Sequence, residues 1–127
     1  MNRRAIATEG APAAIGPYSQ GIAAGDLLFT AGQLGIDPAT GEFVAPDAAG
    51  QARRALQNVQ AVVEAAGLTL DHVVKVTVFL ADMDDFAAVN AVYAEFFGDA
   101  PPARSAVQVA RLPLDGRVEI EAVAVRG

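Results

Sequence analysis

Cysteine and tryptophan are both absent, and histidine and lysine each occur once, as His72 and Lys75. Without cysteine there is no disulfide, no thiolate nucleophile and no Cys-ligated zinc. One histidine excludes a multi-histidine metal site within the chain. No GxGxxG or GxxxxGK[ST] pattern occurs, so no phosphate-cradling loop is encoded. Positive charge is sparse: the other eight basic residues are arginines, none in a run longer than two, and the formal net charge is −6. A nucleic-acid binder needs basic charge to neutralise phosphates, so this balance argues against one. No run approaches the roughly 20 apolar residues of a membrane span. "MNRRAIATEG" carries two arginines but no apolar segment behind them, so it does not read as a signal peptide. The expectation is a cytoplasmic protein with no membrane partner. Aromatics make up only 6%, so the core is expected to be Ala, Val, Leu and Ile.

What is present divides cleanly. The 127 residues suit one domain, 1–127, without linker or internal repeat. "GIAAGDLLFTAGQ" reads as two short strands about Gly25-Asp26, a hairpin signal. "GIDPATGEF" reads as a turn-rich loop. From about Asp47 to Ala66, Ala49, Ala52, Leu56, Val59, Val63 and Ala66 recur at helical spacing, with Asp47 as cap and Gly67 as stop. "HVVKVTVFLA" is β-branched and reads as an interior strand opening near His72. Strict alternation puts Val74, Val76, Val78 and Leu80 on one face and Val73, Lys75, Thr77 and Phe79 on the other. A second helix is predicted over about Asp84 to Phe97, with Asp84 as cap and Gly98 as stop. "RSAVQVARL" and "RVEIEAVAV" close the chain as two strands. With a short strand near Arg4 to Ala7, the order is β-β-β-α-β-α-β-β.

The fold class expected is α+β: a mixed sheet of five to six strands with two helices packed on one face. The uncovered face then carries Lys75, Thr77, Phe79, Glu119, Glu121, Val123 and Val125. That mixture is too apolar for free solvent and too charged for a dry core. It implies an oligomer packed sheet to sheet, with polar pockets between subunits.

Few residues carry chemistry. His72 with Ser19 or Ser105 has no triad-like arrangement. Lys75 is either a Schiff-base lysine or an interface residue on a sheet face. Asp84 and Asp85 suit a helix start, where acidic groups favour the dipole. Glu119 and Glu121 lie two apart on a strand and share a face, where a charge near a subunit contact needs a partner. Arg104 opens a strand after "APP". It is either a structural ion-pair residue or a two-pronged grip for a carboxylate.

"AIGPYSQG", "FTAGQLGIDPATGE", "AAGLTLDHVVKVTVFLADMDDFAAVNAVYAEFF" and above all "PPARSAVQVARLPLDGRVEIEAVAVR" together resemble the RidA (YjgF) family, over almost the whole chain and in order. The resemblance implies a chorismate-mutase-like fold and a homotrimer with sites between subunits. The implied activity is cofactor-free, metal-free hydrolysis of reactive enamines and imines, such as 2-aminoacrylate, to 2-oxo acids and ammonia. It also implies roles: Arg104 grips the substrate carboxylate, Glu119 attends the attacking water, and Tyr18 lines the cleft from a neighbouring subunit. Gly32 and Ala106 present backbone to the ligand. Asn90 matches a recurrent helix asparagine and reads as structural. Two departures stand out: many members have cysteine at Ala106 and some have serine at Ala31. The alternative is a non-catalytic trimer that binds small 2-oxo or imino acids or a protein partner. Ribonuclease activity, associated with some relatives, fits poorly with the acidic charge and the single histidine.

Overall fold

The computed structural model describes residues 2–127. Its strands are β1 (Arg3–Ile6), β2 (Gly21–Ala24), β3 (Leu27–Thr30), β4 (Gln33–Leu34), β5 (Val73–Leu80), β6 (Ala103–Gln108) and β7 (Val118–Val125). Its helices are α1 (Ala48–Ala65) and α2 (Phe86–Phe96). The sheet order is β1-β2-β3-β7-β5-β6, and β4 also pairs with β7. Every pairing is antiparallel except β5 with β6, whose connection runs through α2. A parallel pair requires such a crossover, whereas β2 and β3 need only the two residues between them. Gly25 supplies the positive φ of +58° that this tight turn demands.

The sheet has seven strands, not five or six. The additional strand arises from one surplus residue. Phe29 pairs with Val123 and Gln33 with Ile120. Four steps on one strand therefore face three on the other, which is a β-bulge. It splits what reads as a single strand into β3 and β4. A second bulge sits where Val73 pairs with Ala124 but Lys75 pairs with Val123. It turns Val73 into the core and leaves Val74 exposed, the reverse of strict alternation.

Both helices lie on the face of Val76, Val78, Leu80, Val118, Ile120, Ala122 and Ala124, all in one buried cluster with Ala52, Leu56, Val59 and Val63 of α1. Asp47 caps α1 by accepting from Gly50 N, and Gly67 follows its end at φ +84°. The buried stripe of α1 is wider than predicted and takes in Gln51 and Asn58. Both are satisfied. Asn58 Nδ2 donates to the carbonyls of Leu34 and Ile36, and Gln51 joins Ala45 O to Arg117 N. These bonds pin the chain after β4 to α1. The start of α2 also differs from expectation. Asp82, not Asp84, caps the 3-10 turn Met83–Asp85, and α2 begins only at Phe86. His72 closes the 3-10 turn Leu70–His72, one residue before β5, and its Nδ1 accepts from Thr69 N.

Candidate functional site

Strand register assigns each candidate residue to a face. On β7, Glu119 pairs with Phe79 and Glu121 with Thr77, so both glutamates lie on the face without helices. On β6, Arg104 pairs with Val76 and Ala106 with Val78. Those valines are core residues, so Arg104 and Ala106 lie on the helix face. Arg104 and Glu119 are thus on opposite faces of the sheet, with β5 between their strands. One chain does not bring them together on a small ligand.

Glu119 and Gly32 do meet. The bulge between β3 and β4 carries Gly32 against the Glu119 side chain. A methyl group on Gly32 would lie 2.8 Å from Glu119 Cδ and 3.0 Å from Oε2. The bulge itself is well tied: Thr30 Oγ1 accepts from Ala122 N, and Ala31 N donates to Gln20 O. Ala31 offers no hydroxyl there. The half-buried Glu119 carboxyl has no hydrogen-bond or ion-pair partner among the described residues. Its pKa is raised, first by burial and then by repulsion from Glu121. Both causes disfavour the charged form. A carboxylate so held is a stronger base than an ordinary glutamate and titrates closer to neutrality.

Arg104 is exposed at the sheet edge but is not free. Its Nη1 donates to Asn90 Oδ1 at 2.7 Å. Its guanidinium carbon lies 4.7 Å from the Tyr93 ring centre and 5.4 Å from that of Phe86. Tyr93 is buried, which raises the pKa of its hydroxyl, and the charge of Arg104 opposes that rise. A cleft of about 390 Å³ opens beside this group, between Asn90, Tyr93, Phe97, Pro101, Pro102 and Arg104. The spacing of Phe86, Asn90 and Tyr93 could have revealed their shared helix face, but nothing in the sequence says that Arg104 folds back onto it.

Tyr18 is exposed in the loop before β2, and its hydroxyl accepts weakly from Ile15 N at 3.4 Å. It borders a cleft of about 470 Å³ with Ile6, Thr8 and Gln20. Gln20 is buried and holds this N-terminal loop by donating to the carbonyls of Thr8, Ala11 and Pro12. Ala106 packs half-buried against the core on edge strand β6. On the open face, Lys75 Nζ donates to Ser105 Oγ at 2.8 Å, across the β5–β6 pair. Among the described residues, no three His, Cys, Asp or Glu side chains gather as a metal site would require. Nor, among them, is any helix long and apolar enough to cross a membrane.

What one chain offers, then, is a carboxylate with raised basicity in a half-dry niche and, on the other face, an oriented guanidinium. The family model for "Endoribonuclease L-PSP" matches residues 8–126. The 2-iminobutanoate/2-iminopropanoate deaminase of Escherichia coli K12 is 56% identical over 126 residues, covering 97% of this chain and 98% of that protein. The crystal structure of E. coli TdcF with bound serine superposes with a TM-score of 0.94 at 51% identity, covering 98% of this chain and 99% of that one. The 1.2 Å structure of the E. coli YjgF gene product does so with a TM-score of 0.94 at 55% identity, with coverage of 98% and 99%.

Proposed function

The chain belongs to the endoribonuclease L-PSP family, the YjgF/RidA family, and we infer that it is a hydrolytic deaminase of short 2-imino acids and their enamine tautomers. The products are the 2-oxo acid and ammonia. Water adds across the C=N bond, the carbon keeps the oxygen, and the nitrogen leaves with the protons. The observation that carries this reading is Glu119: an unpartnered carboxyl of raised pKa, packed against backbone with no side chain to crowd it. Near-full-length identity of 56% to a 2-iminobutanoate/2-iminopropanoate deaminase supports it.

The chemistry asks little. An iminium carbon is already electrophilic, so the protein must hold the carboxylate, place a water and move a proton. Arg104 holds the carboxylate by a charge-assisted fork. Glu119 orients the water and takes its proton. Tyr18 shapes the cleft, while Gly32 and Ala106 present backbone to the ligand.

Since Arg104 and Glu119 face opposite ways, the site needs a second copy. We assign the Arg104 edge to one subunit and the Glu119–Gly32 niche to its neighbour. A homotrimer closes this arrangement and covers the open face that carries Phe29, Phe79, Val123 and Val125. The reading puts the protein in the cytoplasm, in metabolite damage control, beside the pyridoxal-phosphate enzymes that release such imines. Endoribonuclease activity is disfavoured by a net charge of −6 and one histidine. A mere binder of 2-oxo acids would need Arg104 but not a basic carboxylate at Gly32.

The test is Arg104→Ala, assayed by ammonia and 2-oxo-acid release from imines made in situ by an amino-acid oxidase. Losing the fork should lower kcat/KM by about 30- to 1000-fold. An Arg104→Ala protein as fast as the parent refutes the assignment.

A further inference from the structure

The carboxylate grip assigned to Arg104 has a support that the reaction itself does not call for. Phe86, Asn90 and Tyr93 are spaced four and three apart on α2, so they stand on one face of the helix. Arg104 comes from edge strand β6, which opens at Ala103 after Pro101 and Pro102, and is exposed. An exposed arginine ordinarily wanders among many rotamers. Here the guanidinium lies over the Tyr93 and Phe86 rings, and Asn90 Oδ1 takes an N–H from Nη1. Asn90 itself is exposed, and its only side-chain hydrogen bond among the described residues is the one to Arg104. Its amide does not serve the core.

The residue type matters. Aspartate at this position would hold the guanidinium more tightly, since charge-assisted bonds are the stronger ones. It would also cancel the positive charge and compete with an incoming carboxylate for the same N–H groups. Asparagine accepts one N–H and leaves the full charge and four donors to the ligand. A hydrocarbon side chain would leave the fork unaimed. Resting on the reading of Arg104 given above, we propose that Asn90 is a positioning residue for carboxylate capture: its neutral amide aims the Arg104 fork without neutralising it. Phe86 and Tyr93 fix the plane, and Asn90 fixes the rotation within it.

This orders two variants in a way that a structural role would not. Asn90→Ala should raise KM for 2-iminobutanoate and the dissociation constant for 2-oxobutanoate about 5- to 10-fold, with kcat little changed. Asn90→Asp keeps the shape and the acceptor, yet should weaken both by a further factor of about 10. If Asn90 served only to brace the fold, the order would reverse: aspartate would behave as the parent, and alanine would be the damaged variant. Calorimetric titration of 2-oxobutanoate, steady-state kinetics and thermal melts of Asn90→Ala, Asn90→Asp and Arg104→Ala decide the matter. An Arg104→Ala protein with parental binding and turnover overturns the reading of Arg104 and this inference with it. An impaired Arg104→Ala beside an Asn90→Asp that binds 2-oxobutanoate like the parent overturns the inference alone. So does an Asn90→Ala protein whose only defect is a lower melting temperature.

Discussion

One methyl group at Gly32 separates the place where Glu119 rests from the stability of the fold. In Gly32→Ala the new carbon would stand 2.8 Å from Glu119 Cδ, 3.0 Å from Oε2 and 3.1 Å from Cγ. Carbon–carbon contact is comfortable at about 3.5–4.0 Å, so the carboxyl must retreat by roughly 0.7 Å or more. The retreat itself is cheap, because the end of a half-exposed glutamate is free to swing. Gly32 is not among the glycines at positive φ, so alanine fits its backbone and should stabilise by about 0.4–1 kcal/mol through the unfolded chain. A displacement near 1 Å of a catalytic group, however, costs on the order of 100-fold. The expected protein is therefore as stable as the parent or slightly more so, with kcat/KM for oxidase-generated 2-iminobutanoate down about 30- to 100-fold. The added methyl also dries the niche further, which should push the acid limb of the pH–rate profile upward. In a Glu119→Gln background the same methyl should cost almost nothing more, because the two changes act on one group. Full activity in Gly32→Ala, or an equal loss in both backgrounds, would refute the argument that this contact places the base.

Further outcomes follow from the same structure. Glu119 has a raised pKa in the folded chain, so its contribution to stability is fully present below the unfolded value, about 4.3, and is lost as pH rises through the folded value. Glu119→Gln should accordingly melt higher than the parent at pH 7, the difference closing toward pH 4, while kcat/KM falls by about 100- to 10,000-fold; scanning calorimetry across that range checks the sign. In the parent, kcat/KM should rise with pH through the folded pKa of Glu119, which a pH–rate profile reads directly. Asn58→Ala orphans the buried carbonyls of Leu34 and Ile36 and should destabilise by roughly 2–5 kcal/mol, measured by urea unfolding. Its effect on turnover should be smaller than that of Gly32→Ala, because Asn58 lies on the helix side of the sheet.

The elements that sequence periodicity revealed are those whose neighbours are close along the chain. The stripe from Ala52 to Val63 marks α1, and Gly25-Asp26 marks a hairpin, because each depends on local geometry alone. The two bulges escaped, and for one reason: each is a mismatch of a single residue between strands far apart in sequence. Nothing in "LLFTAGQLG" says that it must take four steps against three on β7. That surplus residue carries Gly32 onto Glu119 and makes the niche. Likewise, alternation correctly placed Glu119 on the face away from the helices, but it was silent on Arg104. The register of β6 against β5 puts Arg104 on the other side. The resemblance alone pairs the two as a clamp and a water-positioning acid; the sheet puts them on opposite faces within one chain, which is why the proposed site takes a second copy. At Ala106, where the resemblance implies cysteine in many members, the side chain turns toward the core beside Val78, so a thiol there would face packing. What the sequence could name were candidate groups. Their arrangement depends on strand register, and register is a property of pairs of strands that a single segment does not carry.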